Sequence, residues 1–167
     1  MAVESVSGDL VVALSVFHHI PNVSFVLSEI ARVLRPGGFA VVREPCSSMG
    51  DWSAPRSATP NERGIPMCWM LHAAGRAGLE PDRAPLLILF YPLSLIIRRV
   101  GLGWMRKTTT YFWTDVAISW FSKFTSHYLH NSLWRKFAPS AYFYVLSRGH
   151  ARGEGATAHI DGSKGRG

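Results

Sequence analysis

The stretch from Asp9 to Pro45, DLVVALSVFHHIPNVSFVLSEIARVLRPGGFAVVREP, constrains the fold more than any other part of the chain. Asp9–Val16 is a continuous apolar run rich in valine, which suits a strand buried on both faces of a parallel sheet. Asn22 stands where a helix cap is needed, and Val23, Val26, Leu27, Ile30, Ala31, Val33 and Leu34 then recur at helical spacing. Glu29 and Arg32 lie three apart on the opposite, wet face. The helix must stop before RPGG, because Pro36 biases Arg35 away from helical angles and Gly37–Gly38 permits a sharp turn. Phe39–Pro45 is a second apolar strand. Strand, helix and strand joined by short connections imply a crossover and a parallel pair, hence an α/β fold.

At 167 residues, 47% of them hydrophobic, the chain is long enough for one domain with a sizeable core. Its two cysteines, Cys46 and Cys68, are too few for a disulfide framework and are expected as reduced, partly buried thiols. The first twenty residues carry Glu4 and Asp9 but no Lys or Arg, the reverse of a secretory leader, so a cytoplasmic location is expected. The net charge of +7 is unevenly spread. Residues 1–82 hold six Arg against eight acids, whereas residues 83–148 hold nine basic residues against Asp115 alone. Such asymmetry suits an anionic partner, or an ordinary solvated basic face.

Beyond Pro45, CSSMGDWSAPRSATPNER is a polar loop, and loops after the carboxyl ends of parallel strands commonly carry function. A helix is expected from about Pro66, with Gly78 as its stop. The apolar run Pro85–Ile97 has 13 residues, short of the roughly 20 that span a bilayer, so a strand followed by a short buried or interfacial helix fits it. Residues 114–137 suggest a helix capped by Thr114, with Asp115 in its first turn and Arg135–Lys136 in its last. AYFYVLSR, Ala141–Arg148, reads as a final strand. The tail 149–167 has six glycines and no apolar pattern, and disorder is expected there. The domain is thus placed at residues 1–148, with 86–137 as an apolar, aromatic and basic cap.

The pattern DLVVALSVFHHI, then EIARVLRPGG, then FAVVREP resembles the middle of a class I S-adenosylmethionine-dependent methyltransferase of the type 11 group. The resemblance runs from Asp9 to about Pro66 and implies a Rossmann-like fold. In that family the pattern is the fourth strand, its helix and the fifth strand. The family's glycine-rich loop after the first strand, and its acidic residue ending the second, have no counterpart here. RPGG cannot replace the loop, because it follows a helix instead of opening one. The chain is therefore expected to be the C-terminal part of such an enzyme, with one wall of the cofactor crevice. Each missing contact is worth roughly 1.5–3 kcal/mol, so losing two weakens cofactor binding by on the order of 10²–10⁴. The strand at Asp9 would also expose an edge open to self-association.

The resemblance implies that Ala13, Leu14, Ser15, Val16 and Phe17 lie beside the methionine part of S-adenosyl-L-methionine. His18 and His19 follow, near the reacting centre, where either could orient or deprotonate an acceptor; each could equally cap the loop. Glu44 is a further catalytic candidate, or a brace for the loop. Asp51, Trp52, Glu62 and Arg63 are candidates for the acceptor pocket. A metal site is not expected: His127 and His130 are one helical turn apart, with no third ligand nearby in sequence.

Between Trp104 and Tyr144 lie 13 of the 20 aromatics, interleaved with Arg106, Lys107 and Lys123. They could meet a membrane surface, line a pocket for a lipid-like acceptor, or form ordinary core beside a wet basic face. Nucleic acid is not favoured, since no stacking module accompanies the charge. The expected activity is methyl transfer to a small or lipid-like acceptor. The alternative is a non-catalytic remnant or partner subunit that completes a sheet or sits at a membrane surface.

Overall fold

The computed structural model describes residues 4–47, 63–125 and 138–149. Strand β1 (Gly8–Leu14) leads through a short 3-10 turn at Phe17–His19 into helix α1 (Val23–Val33). The side chain of Asn22 caps α1 by accepting from the Phe25 amide at 3.0 Å. Strand β2 (Leu34–Pro45) starts without a gap, so the RPGG segment belongs to the strand itself. Gly37 takes φ +80°, and a side chain on Gly38 would meet the carbonyls of Arg35 and Asp9 at 3.0 and 3.1 Å. One glycine supplies the left-handed turn and the other the close approach of β1 to β2.

β1 and β2 are parallel, in register from Leu10↔Phe39 to Leu14↔Arg43. Helix α2 (Met67–Arg76) ends before Gly78, at φ +80°, and leads into the short strand β3 (Leu79–Pro81). Strand β4 (Leu86–Phe90) runs directly into helix α3 (Tyr91–Arg99). Helix α4 (Thr109–Phe121) and strand β5 (Pro139–Arg148) complete the described elements. The sheet order is β1-β2-β5-β3, with β4 on the same side of β5 as β3. β5 is antiparallel to β2, pairing Phe39↔Ser147 through Pro45↔Ala141.

The core sits on one face of this sheet. Leu27, Ile30 and Ala31 of α1 and Met70 and Ala74 of α2 pack on Ala13, Ala40, Val42, Tyr144 and Leu146. The expectation that β1 is buried on both faces is corrected. Leu10, Val12 and Leu14 alternate with the core positions and are 58%, 57% and 51% exposed. An apolar run records that a strand can be covered on both sides; the described residues cover only one. The edge expected at this strand is present among the described residues, where β1 ends the sheet.

Two further expectations change. α4 begins at Thr109, capped by Thr108, whose hydroxyl accepts from the Tyr111 amide; Thr114 is not its cap. Asp115 lies in mid-helix and is buried, accepting from the amides of Leu89 (2.7 Å) and Phe90 (2.9 Å). It holds the β4–α3 corner, where Leu89 takes φ +65°. Cys46 is buried and Cys68 exposed, and neither is in a disulfide. Among the described residues no helix is long and apolar enough to cross a membrane, and no group of His, Cys, Asp and Glu could hold a metal. His127, His130, Arg135, Lys136 and the tail from His150 lie outside the described residues.

Candidate active site

The carboxyl ends of β1 and β2 meet around one carboxylate. Glu44, one residue from the end of the region paired with β5, has no exposed surface. Its Oε1 accepts from the amides of Val16 (2.7 Å) and Phe17 (2.8 Å). Its Oε2 accepts from the amide of His18 (3.3 Å) and contacts His18 Nδ1 at 2.7 Å. Four donors thus converge on a buried acid, the arrangement in which charge-assisted hydrogen bonds are strongest. Glu44 does what a loop brace does and also fixes an imidazole. In the tautomer that donates Nδ1–H to the carboxylate, Nε2 is an acceptor.

The strand end is held from β2 as well. Ser15, at φ +57°, donates its amide to the Arg43 carbonyl at 2.7 Å, and the Arg43 guanidinium donates to its hydroxyl. A serine in left-handed conformation at this junction turns the chain away from the strand direction, at a cost of about 1 kcal/mol or more. Tyr142, opposite Glu44, and Tyr144, two residues on, are both pushed above the usual phenol range, chiefly by burial. They are neutral hydroxyls at physiological pH.

A cavity of about 510 Å³ opens beside His18, between the 3-10 turn, the start of α1 and the start of α2. Phe17, Ile20, Arg63, Trp69 and Met70 line it with His18, a mostly apolar wall with two basic groups. Its size is that of a small-molecule site. The chain returns to this place through a tight crossing: a side chain on Gly64 would collide with the Ser47 backbone. The amide of Arg63 reaches the His18 carbonyl at 3.4 Å, and that of Ile65 the Pro45 carbonyl at 2.7 Å.

Of the residues expected to touch cofactor, Leu14 and Val16 are exposed and Ser15 half-buried at the open edge, whereas Ala13 and Phe17 are buried. His18 and Glu44 are brought together. His19 is exposed, its ring 4.0 Å from that of His18. Arg63 lines the cavity, while Asp51, Trp52 and Glu62 lie outside the described residues. Sequence reasoning missed Trp69, which is 71% exposed at the cavity rim, and Arg43. An exposed tryptophan in the first turn of an amphipathic helix was the available signal; Arg43 carried none.

This sheet, with its crossover helix and its ligand-sized opening at the carboxyl ends of parallel strands, defines a Rossmann-like α/β fold of the class I methyltransferase type. Residues 1–42, about a quarter of the chain, match the profile of a methyltransferase domain family, type 11. No curated protein sequence matches it significantly. In structure it is similar to a candidate sarcosine dimethylglycine methyltransferase of Galdieria sulphuraria, with TM-score 0.53 and 18% identity over 89% of this chain and 56% of that one. It is also similar to phosphoethanolamine N-methyltransferase 2 of Haemonchus contortus in complex with S-adenosyl-L-methionine: TM-score 0.52, 16% identity, 89% of this chain and 35% of that one. A third likeness is to the Haloferax volcanii complex of the Trm112 methyltransferase activator with its candidate methyltransferase: TM-score 0.54, 17% identity, 90% and 58% coverage. The chain therefore spans between 35% and 58% of the length of these structures.

Proposed function

We propose that this chain is the C-terminal half of an S-adenosylmethionine-dependent methyltransferase acting on a small or lipid-like acceptor. The observation that carries the reading is the Glu44 clamp, which sets His18 in the turn that follows the carboxyl end of β1 and on the wall of the cavity. The residues present fit one side of the cofactor: Leu14, Ser15 and Val16 offer exposed backbone and apolar surface at the end of an edge strand. The glycine-rich side would come from a strand pairing with β1. Leu10, Val12 and Leu14 would then be covered by helices of that half, as an exposed apolar sheet face requires.

When bound, S-adenosylmethionine supplies an electrophilic methyl group on a sulfonium. The protein must hold an acceptor in line with it and exclude water, which together supply roughly 7–11 kcal/mol at best. Phe17, Ile20, Trp69 and Met70 provide the apolar walls for that acceptor, and Arg63 a cation at its rim. His18 Nε2 takes the proton where the acceptor must lose one, and Glu44 holds the ring in the tautomer that can do so.

The alternative, a non-catalytic partner subunit, rests on the same open edge. Amide NMR of the chain with millimolar S-adenosylmethionine separates the two. The enzyme reading expects shifts confined to Leu14–His19 and the neighbouring cavity wall. Absence of shifts, or shifts elsewhere on the sheet, favours the partner reading.

A further inference from the structure

We propose that the cap formed by α3, the 3-10 turn Gly103–Lys107 and the start of α4 docks on an anionic lipid bilayer. No residue of α3 or of that turn is buried. The exposed residues of α3 and its end include Leu95, Ile96 and Val100 together with Arg98 and Arg99, and Leu102 and Trp104 continue them into Arg106 and Lys107. The turn packs on both α3 and α4, so these residues belong to one supported surface.

Charge decides what this surface meets. From Arg83 to Thr125 the only acid is Asp115, which is buried and spent on the Leu89 and Phe90 amides. Among the described residues no ion pair joins Arg98, Arg99, Arg106 or Lys107 to an acid. A protein interface that desolvated four cations would have to supply acids against each. A headgroup layer takes the cations at its surface while the apolar and tryptophan side chains between them enter the acyl boundary. The exposed face of β1 is different: Leu10, Val12 and Leu14 form an apolar row, and the cation beside it, Arg43 opposite Leu14, is turned onto the Ser15 hydroxyl.

Placement gives the docking a direction. Phe90 pairs with Pro139 and Pro45 with Ala141, so the start of α3 and the Glu44 clamp lie at the same end of the sheet. A chain seated by its cap presents that end to the lipid. The docking itself stands on the cap alone and does not depend on the methyltransferase reading.

The test is co-sedimentation of the 167-residue chain with vesicles of phosphatidylcholine containing phosphatidylglycerol, and with pure phosphatidylcholine. Binding is expected to the anionic vesicles and to fall as salt is raised. R98Q/R99Q removes two exposed charges and should weaken it about 25-fold, at roughly fivefold for each cation, with an unchanged circular dichroism spectrum. L95S/I96S should weaken binding to both vesicle types at unchanged salt dependence. The proposal is overturned by equal binding to neutral vesicles, by R98Q/R99Q binding like the parent, or by no sedimentation with either lipid. Self-association of the chain in place of vesicle binding would also overturn it.

Discussion

Glu44 illustrates how one buried side chain can hold both a loop and a ring. Three amides and an imidazole share its two oxygens in a site without solvent, so nothing replaces it when it is removed. Glu44→Ala should destabilise the fold by about 3 kcal/mol, the usual loss when one member of a buried hydrogen-bonded pair is deleted. His18→Ala leaves the three amide bonds intact and should cost less than half as much. Chemical denaturation of the two variants checks that order; equal losses would mean that the ring, not the loop, is what the carboxylate holds. That His18 and Glu44 belong to the strand ends was legible in sequence. That they touch was not, because they are 26 residues apart and the contact depends on the parallel register of β1 and β2.

Among the elements, the start of α1 was legible because its signals are local, Asn22 at the cap and apolar spacing after it; its end came one residue before the expected Leu34, which already belongs to β2. α4 was misplaced for the complementary reason. Thr108 and Thr114 are equally good caps by type, and an acid after Thr114 imitates a first turn. Only the fold shows that Asp115 answers two strand amides across the β4–α3 corner. That corner stores strain, since Leu89 occupies the left-handed region that favours glycine. Leu89→Gly should therefore stabilise the protein by about 1 kcal/mol, its side chain being partly exposed. Asp115→Ala should cost about 2–3 kcal/mol by leaving both amides without their acceptor. Thermal melts settle both signs, and a destabilised Leu89→Gly would show that the leucine packs more than it strains. The burial of β1 was misjudged because a valine-rich run states a capacity to be covered, while coverage belongs to whatever packs there.

For the whole molecule, the uneven charge and the uneven burial describe one body with distinct surfaces. The core face is closed by α1 and α2, the face of Leu10, Val12 and Leu14 is open, and the cap concentrates the cations. The chain spans 56% or less of two of the solved methyltransferases it is similar to, and its strand β1 lies at the edge of the described sheet. The central claim is that it contributes one wall of that crevice. The most direct measurement is a calorimetric titration of the 167-residue chain with S-adenosylmethionine into the millimolar range. The account predicts a dissociation constant in the millimolar range, on the order of 10²–10⁴ above that of a complete site. A micromolar constant for the chain as a monomer would contradict it.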